Sequence, residues 1–177
     1  MSDYAQLVDA AQEAGLPGLM LQLPGAEVES GLAWARALRA RAGANLTLTF
    51  KLSCLPDRRA LLGALLAEGF PVLLTAVSNA VQLLWATEVQ ATWVAPYLGR
   101  LEASGRDPWP LVEASIAVQR DGGPRLLAAS VRSADSLARL VALGAAGVTL
   151  RPDFLLNHAT DALTGEAAAQ FARDSEP

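Results

Sequence analysis

Lysine is almost absent from this 177-residue chain: Lys51 is the only one, and the other thirteen basic side chains are arginine. Cysteine and histidine occur once each, as Cys54 and His158. A single cysteine excludes an intrachain disulfide and a cysteine zinc site. A Ser-His-Asp triad would have to use His158, which sits in a polar stretch near the C-terminus and carries little weight. No metal and no cofactor are expected. The formal net charge is −4 and no basic cluster stands out, which argues against non-specific nucleic-acid binding. No apolar run reaches membrane-spanning length. The opening Met-Ser-Asp-Tyr-Ala-Gln lacks the basic and apolar regions of a signal peptide. A soluble, cytoplasmic protein with no membrane partner is therefore expected. A nucleotide-binding module is disfavoured, because no glycine-rich phosphate loop follows a strand and Asp121-Gly-Gly-Pro124 reads as a turn.

The lone lysine lies inside a strand-like run, Leu46-Thr-Leu-Thr-Phe-Lys-Leu52. Arginine matches lysine in surface solvation and anion pairing, but it stays protonated and cannot become an amine nucleophile. Lysine can: an apolar pocket disfavours the ammonium form, and the free amine attacks carbonyls to give a Schiff base. The strand alone leaves two readings open, a nucleophile or an edge-strand lysine with its head in water.

Just over half the residues are hydrophobic, and the length suits one domain with a substantial core, spanning residues 1–177. Helical and strand patterns alternate. Helices are predicted over Asp3–Ala14, Glu27–Ala42, Pro56–Glu68 and Asn79–Val89, the last capped by Ser78. Further helices follow from Asp107-Pro108 to Gln119, from Ala134 to Leu143 behind a Ser133 cap, and from Asp153 to about Asp174 with a break near Thr160–Thr164. Strands are predicted at Leu19–Leu23, Leu46–Leu52, Pro71–Val77, Thr92–Leu98, Arg125–Ala129 and Gly147–Leu150. Runs apolar on both faces and separated by helices predict a parallel sheet covered by helices. The spacing suits repeated βα units, about six of them. The fold class is α/β, either an open doubly wound sheet or a (β/α)₈ barrel short of two strands.

In parallel α/β folds chemistry collects at the carboxyl ends of strands. The polar residues there are Gln22, Lys51, Thr75, Tyr97, and Ser130 with Arg132, drawn from five strands. Singly each has an ordinary role as cap, strand residue or packed aromatic. Together with one lysine they supply a nucleophile, a proton-transfer group, water-positioning groups and an anion site, the parts of a Schiff-base aldolase.

The chain here resembles the transaldolase family, and more narrowly its small fructose-6-phosphate-aldolase-like branch. The similar stretches are Phe-Lys-Leu at 50–52, Pro-Val-Leu-Leu-Thr-Ala-Val at 71–77, Trp-Val-Ala-Pro-Tyr-Leu-Gly-Arg-Leu-Glu at 93–102, Leu-Ala-Ala-Ser-Val-Arg at 127–132 and Gly-Val-Thr-Leu-Arg-Pro at 147–152. The resemblance implies a (β/α)₈-derived fold and assigns Lys51 to the Schiff-base position. It assigns Gln22, Thr75 and Tyr97 to the catalytic water, and Arg100, Ser130 and Arg132 to the substrate phosphate. It implies a small sugar or sugar phosphate as substrate.

One departure stands out. Family members have two further strands ahead of the segment matching Asp3 onward, one with an aspartate and one with a Thr-Asn-Pro-Ser-like motif, and neither Asn-Pro nor Thr-Asn occurs here. A barrel without two adjacent strands exposes two sheet edges, so the gap is expected to be covered by a second copy of the chain, giving a homo-oligomer, or closed by shrinking the sheet. The missing aspartate also admits an alternative function: a non-catalytic or weakly active relative that binds sugar phosphates or serves as an assembly subunit.

Overall fold

The chain alternates strand and helix around one sheet, in a computed structural model that describes residues 2–23, 25 and 27–175. The strands are β1 (Gly18–Gln22), β2 (Thr47–Ser53), β3 (Val72–Val77), β4 (Trp93–Pro96), β5 (Arg125–Ala128) and β6 (Gly147–Val148). All pair in parallel, in the order β1-β2-β3-β4-β5-β6. A doubly wound sheet reverses direction partway along its strand order. This one never does, so the right-handed crossovers place successive helices on the same face. The result is a curled half-barrel of six βα units, an incomplete (β/α)₈ barrel.

The helices are α1 (Ser2–Glu13), α2 (Val28–Ala42), α3 (Arg59–Ala67), α4 (Ala80–Glu88), α5 (Leu98–Ala103), α6 (Trp109–Arg120), α7 (Ala134–Leu143), α8 (Pro152–His158) and α9 (Ala162–Asp174). No helix among the described residues is long and apolar enough to cross a membrane.

The period-two alternation of the strands divides the core. Leu52, Leu74, Val94 and Leu126 lie in one row across β2 to β5, each at most 1 % exposed, and face the helices. Ala35 and Leu38 of α2, Leu61 and Leu65 of α3, Leu83 of α4 and Ile116 of α6 are buried in the helical layer. Phe50 meets the edge of Phe70 at 5.2 Å between ring centroids. Each fully buried side chain of this size stabilises the fold by about 1.5–3 kcal/mol. Leu73, Ala95, Leu127 and Ala129 form a smaller cluster on the other, concave face with Met20, Trp93 and Tyr97.

Local signals are obeyed with a few shifts. Ser133 caps α7 through its Oγ, which accepts from Ser136 N at 3.1 Å, and Gly144 closes that helix in the left-handed conformation at φ 87°. The cap of α4 is Asn79 and not Ser78: Asn79 Oδ1 accepts from Gln82 N at 2.9 Å. Ser78 instead donates its N–H and Oγ–H to Gln82 Oε1. An amide side chain one residue nearer the helix reaches the free N–H more directly. Helix α5 is a departure, because the apolar run Thr92–Leu98 reads as one segment while the strand stops at Pro96. The break between α8 and α9 lies at Asp161, whose carboxylate accepts from Leu163 N at 2.8 Å.

Candidate active site

Register sets the site. Lys51 sits between Gln22 of β1 and Leu73 of β3, level with both. Its side chain is half-buried on the concave face. Thr75, two residues beyond Leu73, is buried, and its Oγ1 donates to Leu52 O at 3.2 Å. Its oxygen lone pairs remain free to accept. Tyr97 continues β4 by a bridge to Ala129, and Leu98 N donates to Ala129 O at 2.9 Å. Those bonds fix the first turn of α5 against β5 and bring Arg100 to the same mouth.

These elements enclose a pocket of about 220 Å³ lined by Lys51, Leu73, Thr75, Ala95, Tyr97, Arg100, Leu127, Ala129, Ser130 and Thr149. Apolar walls from three strands, β3 to β5, thus surround six polar groups. Two of the six are cations, and none of the lining residues is a carboxylate. Among the described residues neither Lys51 nor Arg100 enters an ion pair. Arg100 lies over the Tyr97 ring, 4.7 Å from guanidinium carbon to centroid, a cation–π contact that orients the guanidinium. A concave site with unpaired positive charge favours an anionic ligand. Ser130 holds φ 60°, a backbone conformation that a residue with a Cβ adopts at a cost and that clusters at ligand sites.

The seven residues singled out in the sequence are distributed as follows. Lys51, Thr75, Tyr97, Arg100 and Ser130 share the pocket. Gln22 stands beside it on the edge strand, exposed, with Nε2 donating to Lys51 O at 3.0 Å. Arg132 is exposed at the rim, against Gly99 of α5. Thr149 lines the pocket and escaped the sequence reading, although it is the polar residue at the end of the last strand-like run, the same signal that selected the others. His158 stacks on Phe154, 4.2 Å between centroids, on exposed α8 and does not line the pocket. Cys54 is buried on the helical side, where burial pushes its thiol up to about 11. No group of three or more His, Cys, Asp or Glu among the described residues could hold a metal ion.

Residues 20–176 match the family described as Transaldolase/Fructose-6-phosphate aldolase. The chain is 29 % identical over 139 residues to a probable fructose-6-phosphate aldolase of Streptococcus pneumoniae, covering 77 % of this chain and 62 % of that protein. It is 31 % identical over 131 residues to a probable transaldolase of Exiguobacterium sibiricum, covering 73 % and 61 %. A probable transaldolase of Roseobacter denitrificans is 30 % identical over 152 residues, covering 85 % and 69 %. The chain therefore spans about three-fifths of the length of the first two of these relatives. Among solved structures, the PaMucR phosphodiesterase in complex with c-di-GMP matches with a TM-score of 0.61 at 17 % identity, covering 83 % of this chain and 68 % of that one. The FimX EAL domain of Xanthomonas citri, also with c-di-GMP, matches at a TM-score of 0.59 and 16 % identity, covering 82 % and 63 %. At such identities the likeness is one of fold.

Proposed function

Because the chain belongs to the transaldolase/fructose-6-phosphate aldolase family, we propose that it is a class I aldolase or transaldolase acting on small ketoses or sugar phosphates. The observation that carries this reading is the position of the only lysine. Lys51 lies on the concave face, in a pocket it shares with Tyr97 and Arg100. In the proposed reaction the Lys51 ammonium gives up one proton, its amine adds to a ketose carbonyl, and that proton departs with the carbonyl oxygen as water, giving an iminium. The iminium accepts the electron pair of the neighbouring carbon–carbon bond as that bond breaks, and an aldehyde departs. The proton lost from the hydroxyl that becomes the aldehyde passes through a water to the Tyr97 hydroxyl as that hydroxyl gives its own proton to the enamine carbon, and hydrolysis of the resulting iminium then frees the second product and Lys51. Thr75 Oγ1 accepts from that water, since its own proton is committed to Leu52 O. Gln22 Oε1 completes its surroundings, the Gln22 amide being anchored through Nε2 to Lys51 O. Arg100, Ser130 and Arg132 receive the substrate phosphate, for which guanidinium forks are suited.

One observation favours a second reading, binding without catalysis: no carboxylate lines the pocket to orient sugar hydroxyls. A single experiment separates the two. The protein is reduced with borohydride in the presence of dihydroxyacetone or fructose 6-phosphate and analysed by intact and peptide mass spectrometry. A stable adduct on the peptide containing Lys51 is expected. A folded protein that forms no adduct at saturating ligand overturns the catalytic reading in favour of binding alone.

A further inference from the structure

A second recess, of about 180 Å³, opens next to the Lys51 pocket, and its wall includes Ala76, Ser78, Tyr97, Arg100 and Arg106. Tyr97 and Arg100 belong to both spaces, Ser130 only to the first and Arg106 only to the second. The charged side chains in the wall of this recess are two guanidinium groups, and no carboxylate lines it. Among the described residues neither arginine enters an ion pair. Both are held in place all the same. Arg100 rests on the Tyr97 ring. Arg106 donates from Nε to Ser104 Oγ at 3.0 Å and from one terminal nitrogen to Ser78 O at 3.2 Å, which leaves its other terminal nitrogen uncommitted. The recess is cut by a bulge in β3, where the pairing with β4 shifts between Thr75 and Val77 and Ala76 takes φ 58°. Bulges that re-aim a strand end are over-represented beside active sites.

We propose that this recess is a second anion subsite. Two preset, unpaired guanidinium groups with no acid in the wall suit a phosphate or carboxylate. The subsite adjoins the Lys51 pocket through Tyr97 and Arg100, and Ser130 is not in its wall. The inference deepens the reading given above and rests on it. It names the substrate class as a small carbonyl compound with an anionic group at each end: one end at Ser130 and Arg132, the other at Arg106, with Arg100 between the two and in reach of both, and the reacting carbonyl at Lys51.

The test is calorimetric titration of the full chain with fructose 6-phosphate and with fructose 1,6-bisphosphate, repeated on Arg106→Gln. Glutamine still donates one hydrogen bond but carries no charge. The bisphosphate is expected to bind at least tenfold more tightly to the wild type. Arg106→Gln is expected to bring the two ligands within about twofold of each other and to leave fructose 6-phosphate affinity unchanged. Equal affinities in the wild type, no binding of either ligand, or a preference that survives in Arg106→Gln overturns the proposal. The wild-type comparison alone decides if the variant fails to fold. Borohydride trapping with the bisphosphate separates this inference from the function it rests on. An adduct without any preference removes the subsite and keeps the aldolase; a preference without an adduct does the reverse.

Discussion

Gly99 lies against Arg132: a Cβ at Gly99 would stand 2.6 Å from Arg132 Nε and 2.7 Å from the Ser130 carbonyl oxygen. That oxygen already accepts from Gly99 N at 3.1 Å. The bare backbone of the first turn of α5 therefore lets β5 and the Arg132 stem close onto it. The arginine can give way to a methyl group, but the Ser130 carbonyl is held by its bond from Gly99 N and by its own left-handed backbone.

Gly99→Ala is thus expected to displace Arg132 from the pocket rim and to cost about 1–3 kcal/mol of stability through overpacking. Affinity for fructose 6-phosphate should fall about tenfold, the loss of one charge-assisted contact. The yield of borohydride adduct with dihydroxyacetone, which carries no phosphate, should hold. Titration alongside trapping checks this, and equal losses for the two ligands would refute a phosphate-positioning role.

Lys51→Arg should abolish adduct formation and lower turnover by at least about a thousandfold, because a guanidinium supplies the charge without the nucleophile. The melting temperature should move by only about 2–4 °C, since the side chain is half-buried and unpaired. Turnover at the wild-type rate would show that the reaction does not pass through Lys51.

The Cys54 thiol should be inert in the native protein. Burial raises it from 9.0 to about 11. At pH 8 an unperturbed thiol is about one-tenth thiolate and this one about a thousandth, so alkylation should slow about a hundredfold from ionisation alone. Unfolding in denaturant should restore the ordinary rate. Because the native state holds the proton longer, the contribution to stability is complete below pH 9 and declines as pH rises towards 11. Iodoacetamide kinetics with and without denaturant test this.

Two surface clamps should give the fold a mild acid sensitivity. Arg36 bonds both carboxylate oxygens of Glu68, and with Arg39 nearby it holds that carboxyl below its ordinary 4.5. Arg41 does the same for Asp9, below 3.8, tying α1 to α2. Both carboxyls are depressed in the folded state, so their contribution is present above those ordinary values and is lost as pH falls through the lowered ones. Asp9→Asn with Glu68→Gln should lower the thermal midpoint slightly at neutral pH and flatten its dependence between pH 5 and pH 3. High salt should mimic the effect, as for any exposed pair.

Association between copies is the remaining expectation. Beyond Arg151 every described residue but Phe154 is exposed. On α8 and α9, Leu156 is 74 %, Leu163 75 % and Phe171 69 % exposed. With the β1 and β6 edges also open to pairing, sedimentation equilibrium should give a dimer or larger. Leu163→Glu with Phe171→Glu should dissociate it. A monodisperse monomer for the unsubstituted chain would refute this.

Much of this molecule is written in its sequence by itself. The period of each apolar run and the Gly, Pro, Ser and Asn punctuation between runs are local properties, so they determined six strands, their alternation with helices and the parallel sheet. They also marked Lys51, because a residue that occurs once needs no structure to be noticed. Near-local details were already less legible: Ser78 and Asn79 are adjacent, and only the geometry of the turn decided which would cap α4. The curl of the sheet decided the rest. It carried Thr149, about a hundred residues from Lys51, into the same pocket, left Gln22 on the edge strand and placed Arg132 on Gly99. The bulge at Ala76, and with it the recess at Arg106, arises from the pairing of β3 with β4. Which strand ends converge depends on register between segments far apart in the chain, and a local pattern holds no record of that.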